Sequence, residues 1–114
     1  MKYVVLMYAD PAETKAMSAA ERDEVSSKHR DLRTELTVSG ELVGGEAMAD
    51  PEDTVALRLA GEDVAISHGP LLKSDEQLAA YYCEDLARAI SIAGRILDFH
   101  VTAIEVRQVH DSVE

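Results

Sequence analysis

A change of hydrophobic period in the middle of the chain is the strongest constraint on its fold. Apolar positions recur at steps of three and four between residues 25 and 36, and at every second residue between 55 and 67. The first pattern is typical of an amphipathic helix and the second of a strand with two different faces. A chain of 114 residues with both patterns is expected to form a single α+β domain over residues 1–114.

A long helix is predicted between two end signals. Ser18 and Glu21 have the spacing of a capping box, and Gly40 is the residue type that ends helices in a left-handed conformation. A loop over residues 12–17 is expected before this helix. One stripe of the helix is apolar and includes a histidine. Its members are Val25, His29, Leu32 and Leu36.

The other elements are predicted as a second helix and a set of strands. Residues 85–97 are apolar over an unusually wide arc, which indicates a helix with a second contact besides its core-facing stripe. Residues 2–8 form an unbroken apolar run that suits a strand covered on both faces. Further strands are predicted at 41–48, 78–83 and 101–109.

An extra β-hairpin leads into the stretch Ser67-His68-Gly69-Pro70. Residues 55–67 alternate, and Gly61-Glu62-Asp63 supplies the reversal between the two strands. The Gly-Pro pair ends the second strand, because proline lacks a backbone donor and fixes φ. By the same alternation His68 falls on the face of Ile66, which we expect to be the buried face.

This order of elements predicts a ferredoxin-like sheet with an extra hairpin and with both helices on one face. The opposite face of the sheet then needs a cover. A second copy of the chain in a two-fold, face-to-face dimer would supply it. The alternative is a monomer whose outer sheet face is polar.

Composition argues against several classes of function. With 22 acidic and 11 basic residues the formal charge is −11, which repels nucleic acid. The apolar run at the start is too short for a signal peptide, and no run has the length of a membrane span. Cys83 is the single cysteine, and Gly44-Gly45 lacks phosphate-loop spacing. We expect a cytoplasmic protein that uses no cofactor and binds neither nucleic acid nor membrane.

Segments spread over nearly the whole chain resemble a known family. They are Lys2-Tyr3-Val4-Val5-Leu6-Met7-Tyr8, His29, Gly40-Glu41-Leu42-Val43-Gly44-Gly45-Glu46, Gly69-Pro70, Gln77-Leu78 to Tyr82, and Glu105-Val106-Arg107. In these segments the sequence resembles the DGPF-domain branch of the YCII-related family. The resemblance implies a dimeric α/β-barrel fold of ferredoxin-like halves. Most members have no established activity, some are encoded beside sigma factors, and a few YCII-like relatives are small lyases or dehalogenases.

The sequence differs from the DGPF-domain branch at the residues that would be expected to take part in catalysis or binding. The branch is named for Asp-Gly-Pro-Phe, whereas this sequence reads His68-Gly69-Pro70-Leu71. A carboxylate beside His29 would fix its tautomer and raise its basicity, whereas a second imidazole tends to lower the pKa of both rings. Another YCII-like pattern places an aspartate two residues before the glycine that ends the first helix, and this position is Val38.

Three interpretations of His29 and His68 stay open. Both residues can be purely structural, with their polar atoms satisfied by backbone or water. They can instead line a small-molecule pocket between the first helix and the sheet, in which His29 is the acid or base. In that pocket His68, Tyr8 and Tyr81 are the candidate hydrogen-bonding partners. A divalent metal held by both imidazoles with Asp10 or Glu46 is the third interpretation.

The predicted function is a dimer that binds or transforms a small organic molecule. Its candidate catalytic residues are His29 and His68, its candidate substrate-binding residues are Tyr8 and Tyr81, and no metal is assigned to the site. The alternative is a non-catalytic regulatory or protein-interaction module, linked to transcription through gene association only.

Overall fold

Antiparallel sheets and α-helices build the part of the chain that the structure describes. This computed structural model describes residues 1–49, 51–71, 77–99, 101 and 103–111. Along the chain the elements are β1 (Lys2–Ala9), α1 (Pro11–Ala16), α2 (Ala19–Ser39), β2 (Leu42–Ala47), a 3₁₀ turn (Pro51–Asp53), β3 (Val55–Ala60), β4 (Asp63–His68), β5 (Gln77–Cys83), α3 (Leu86–Ile96) and β6 (Ala103–Val109). The α+β class predicted from the two hydrophobic periods is confirmed.

The larger sheet contains four strands in the order β2-β5-β1-β6, and each neighbouring pair is antiparallel. Strand β1 is central, so its two faces decide what the sheet can bury. Tyr3, Val5 and Met7 on one face are buried, whereas the alternate residues Val4 and Leu6 are half-buried. Within one copy of the chain β1 is therefore fully covered on one face only, unlike the two-sided cover expected from its apolar run.

Helices α2 and α3 pack on the buried face of this sheet and complete the core. The helix residues in this core have small or branched apolar side chains. They are Leu32, Leu36, Ala89, Ile92, Ala93 and Ile96. The predicted ends of α2 are confirmed by a complete capping box between Ser18 and Glu21 and by Gly40 at φ +77°. In α3 the wide apolar arc is also present, because Leu86 and Ile90 are exposed on its outer side.

The loop predicted over residues 12–17 is wrong, because most of it is the short helix α1. Asp10 is its N-cap and accepts a hydrogen bond from the Ala12 backbone N–H at 2.9 Å. Pro11 occupies the first turn, where a missing N–H costs nothing. The pair Asp10-Pro11 is thus a helix start as well as the end of β1.

Strands β3 and β4 form the hairpin that the alternation predicts, and among the described residues this hairpin is a two-stranded sheet of its own. The turn that follows is tied to the hairpin, because the Gly69 N–H donates to the Thr54 carbonyl at 2.7 Å and Arg58 donates to the Leu71 carbonyl at 3.2 Å. Gly69 has φ +114°, which a side chain would disfavour. The expectation that the His68 face is buried is wrong, since His68 and Ile66 are exposed.

The whole molecule is flat and open. Its extents are 49 × 39 × 20 Å and its radius of gyration is 16.1 Å, compared with about 13 Å for a compact domain of this length. It exposes 8004 Å², compared with about 6,100 Å² for a typical folded monomer of this mass. The chain therefore buries less of its own surface than a compact monomer does.

Candidate functional site

His29 lies on the inner stripe of α2, one turn before the buried Leu32. Its imidazole is half-buried and meets the Phe99 ring edge to face, with 4.9 Å between the ring centroids and an interplanar angle of 80°. Phe99 follows α3 in sequence. The contact therefore joins the middle of α2 to the end of α3.

Burial lowers the pKa of His29, and the nearby positive charge of Arg33 lowers it further. Both causes disfavour the imidazolium form, because burial removes water from the charge and Arg33 repels it. The ring is therefore neutral at neutral pH. A neutral imidazole has one nitrogen that can donate a hydrogen bond and one that can accept a proton.

An open cleft of about 360 Å³ lies between α2 and α3, close to this contact. We call it the α2–α3 cleft, and its lining is Lys28, Asp31, Leu32, Glu35, Arg95, Asp98 and Phe99. Arg95 of α3 donates to Glu35 of α2 at 2.7 Å across it. The Lys28 ammonium lies 5.9 Å from the centre of the Phe99 ring, so this ring contacts both the cleft and His29.

A second shallow cleft of about 330 Å³ runs along the outer side of α2. It is lined by Arg30, Arg33, Thr34, Thr37 and Val38. The two threonine hydroxyls donate to carbonyls one turn earlier in the helix, at 3.0 and 2.6 Å. This cleft is formed by a single helix, and all five of its lining residues are exposed.

The other predicted site residues lie elsewhere in the fold. His68 is exposed at the end of β4, opposite Val55 in the hairpin, and lines neither of the two clefts. Tyr8 is half-buried at the end of β1 and alternates with the core residue Met7, so it is on the sheet face opposite α2 and α3. The side chain of Tyr81 lies outside the described residues.

The two carboxylates considered as metal ligands have different surroundings. Asp10 caps α1, and Glu46 is exposed on β2. Among the described residues no group of three or more His, Cys, Asp or Glu side chains could hold a metal ion.

Cys83, at the end of β5, is buried in the core. Burial raises the pKa of its thiol, and the negative charges of Glu41 and Asp85 raise it further. The thiol is therefore protonated at neutral pH and is a poor nucleophile.

The cleft residues Glu35, Arg95 and Phe99 were not anticipated from the sequence. Glu35 and Arg95 are 60 positions apart, and each has the pattern of an ordinary solvent-facing helix residue. The usable signal is Phe99, because it is the single phenylalanine of the chain and directly follows an apolar helix.

Comparison with protein-family models and with curated protein sequences finds no match to this chain. The YCII/DGPF resemblance therefore rests on the sequence segments that carry it. Among the described residues, none of the helices has the length and apolar character needed to cross a membrane.

Proposed function

We propose that the chain is a ferredoxin-like, dimeric α/β-barrel protein of the YCII/DGPF type that binds a small organic molecule. The strand order β2-β5-β1-β6, with α2 and α3 on one face, supports the ferredoxin-like part of this proposal. The hairpin β3–β4 is then an insertion between the second and third strands of that arrangement. The less covered face of β1 supports the dimer, since a second copy would cover it.

The α2–α3 cleft is the place we propose for the small molecule. The observation that carries this choice is Phe99, whose ring contacts His29 and also lines the cleft. His29 does not itself line the cleft, so it would act on a ligand there by positioning the Phe99 ring.

The lining of the cleft indicates the chemistry of its ligand. Phe99 offers apolar surface, and beside it lie two cations, Lys28 and Arg95, each paired with a glutamate of α2. A ring of the ligand would pack on Phe99 while its anionic group replaces Glu35 as the partner of Arg95, whose planar guanidinium suits carboxylates. We therefore propose a small aromatic or branched carboxylate. The nearby carboxylates, Asp31 and Asp98 among them, would also accept an amino group on the same molecule.

His68, Tyr8 and Tyr81 stay candidates on the grounds of the sequence. The proposal does not depend on them, because the α2–α3 cleft needs no contribution from the hairpin or from the outer sheet face. His29→Gln and His68→Gln tested side by side for ligand binding would tell whether the two histidines serve one site.

Three probes that share a phenyl ring test the proposed site: benzoate, phenylalanine and benzylamine. Each is titrated into ¹⁵N-labelled protein while amide chemical shifts are recorded. We expect benzoate and phenylalanine to shift amides in residues 28–35 and 95–99, and benzylamine to bind more weakly because it lacks the carboxylate. Shifts confined to other regions, or no shifts, would contradict the proposal.

A matched pair of arginine variants separates specific binding from a general loss of charge. Arg95→Gln removes the cleft guanidinium, whereas Arg107→Gln removes the guanidinium of another exposed ion pair, with Glu105 at 3.3 Å on β6. We expect weaker benzoate binding in the first variant and unchanged binding in the second. Equal weakening in both would indicate nonspecific attraction of the anion.

The non-catalytic interaction module is the second candidate function, and one observation favours it. Large apolar side chains are exposed on α3 and on the hairpin, and such patches mark interaction surfaces. Sedimentation at micromolar concentration tests the proposed homodimer, and a monomer alone would contradict it. A dimer that binds none of the three probes would favour the module over the small-molecule function.

A further inference from the structure

The hairpin β3–β4 has an apolar face that is exposed along its whole length. We call it the hairpin apolar face, and its large residues are Val55, Leu57, Leu59, Val64 and Ile66, with exposed fractions of 54 to 80 %. His68 ends this face, and no Asp, Glu, Lys or Arg lies on it. The charged residues of the two strands, Arg58 and Asp63, lie on the opposite face. The hairpin thus presents a continuous uncharged surface to solvent.

A hairpin of this kind needs a cover for its own stability. An isolated two-stranded hairpin is only marginally stable in water, and stability comes from a third strand or from packing on its apolar face. In the part of the chain that the structure describes, the two strands pair with each other and not with the four-stranded sheet. Cross-strand pairs such as Leu57 with Ile66 are well placed to form one side of a hydrophobic contact.

One copy of the chain exposes more surface than a compact monomer of its mass. The chain exposes 8004 Å², which exceeds the value expected for a monomer of its mass by about 1,900 Å². A standard stable interface buries about 800 Å² on each partner. The excess of the whole chain is larger than one such interface requires, and the hairpin apolar face supplies part of that exposed surface.

We propose that the hairpin apolar face packs against the same face of a second copy across a two-fold axis, which rests on the homodimer proposed above. The formal charge of −11 makes two copies repel each other, so the contact is favoured where neither copy carries charge. The outer face of the larger sheet fits the hairpin less well, because it carries Glu105 and Arg107 opposite Leu6 and Val4. Contact between identical faces also limits the assembly to two copies, whereas contact between two different faces could add further copies and form a filament.

A pair of threonine substitutions at neighbouring positions tests this contact. Ile66→Thr keeps a β-branched side chain in the strand but removes apolar surface from the centre of the face, once in each copy. Ala65→Thr introduces the same residue on the opposite face and is the matched control. We expect Ile66→Thr to raise the dissociation constant of the dimer by about tenfold or more, since two buried contacts are lost per dimer. Ala65→Thr should leave it unchanged.

Cysteine cross-linking tests the geometry without relying on a destabilised hairpin. Near the two-fold axis a residue faces its own counterpart, so Ile66→Cys should form a disulfide-linked dimer under mild oxidation. Ala65→Cys on the opposite face should not, and the buried Cys83 is present in both variants. Circular dichroism and thermal melting establish that all variants are folded.

The outcomes separate this inference from the proposal on which it rests. If the unmodified chain sediments only as a monomer, the homodimer and the hairpin contact are both contradicted. If it forms a dimer whose dissociation constant is the same in Ile66→Thr, or if Ile66→Cys cross-links no better than Ala65→Cys, the hairpin contact alone is overturned and the homodimer stands.

Discussion

At the residue scale, His29 links stability to pH. Burial and Arg33 hold its pKa below the unfolded value of 6.5, so the unfolded chain binds a proton more readily than the folded chain does. The free energy of unfolding should therefore fall as pH drops below the unfolded pKa and level off below the folded pKa. Denaturant unfolding at a series of pH values between about 5 and 8 measures this slope. His29→Gln should flatten it.

The control for this prediction is His68→Gln, which removes an imidazole from an exposed position on the hairpin. Comparing the two variants separates the effect of a half-buried ring from the effect of losing any histidine. If His29→Gln keeps the full slope of the unmodified chain, burial of this ring is not the origin of the pH dependence.

At the element scale, replacing a glycine by alanine should have opposite effects on the free energy of unfolding in α2 and in α3. Gly40 ends α2 at φ +77°, whereas Gly94 lies inside α3, and a Cβ at either position would have no heavy atom within 4 Å. Backbone conformation alone therefore decides the outcome. Gly40→Ala should lower the free energy of unfolding by about 1–2 kcal/mol, the cost of a left-handed residue with a side chain. Gly94→Ala should raise it by about 1 kcal/mol.

Equilibrium denaturation of both alanine variants tests this pair of predictions. The slope of the free energy of unfolding against denaturant concentration should be the same in both variants and in the unmodified chain, which would establish that the unfolded state is unchanged. A stabilising Gly40→Ala would mean that the end of α2 has a different backbone conformation. A destabilising Gly94→Ala would instead indicate a close contact on the outer side of α3, such as one made by a second copy.

Helices and strands were predictable from the sequence where their ends are marked by residues close to each other in the chain. The capping box at Ser18 and the reversal at Gly61 fixed α2 and the hairpin, because these signals act within a few residues. Helix α1 was missed because Asp10-Pro11 is compatible with both the end of a strand and the start of a helix.

Burial and the candidate site were less predictable, because they depend on distant parts of the chain or on a partner. Alternation identified the apolar face of the hairpin correctly, but it cannot tell whether that face is covered. Similarly, the His29 stripe was predictable from helical spacing, whereas its contact with Phe99 arises from the packing of α2 and α3. Sequence patterns therefore predict faces better than they predict contacts.

At the scale of the whole molecule, the large negative charge and the exposed apolar surfaces act against each other in self-association. Each copy carries a formal charge of −11, so two copies repel each other at low ionic strength. The screening length falls from about 30 Å at 0.01 M salt to about 8 Å at 0.15 M. Since the proposed contact through the hairpin apolar face contains no charged side chain, added salt should reduce the repulsion without weakening the contact.

We therefore expect the dissociation constant of the dimer to fall as sodium chloride is raised over this range. Sedimentation equilibrium at several salt concentrations measures it, with chloride used instead of sulfate because sulfate strengthens apolar association by itself. A dimer held mainly by ion pairs, such as Arg107 with Glu105 of the other copy, would show the opposite trend, since salt screens attraction as well as repulsion. A dissociation constant that rises with salt would thus contradict the proposal that the uncharged hairpin apolar face forms the contact.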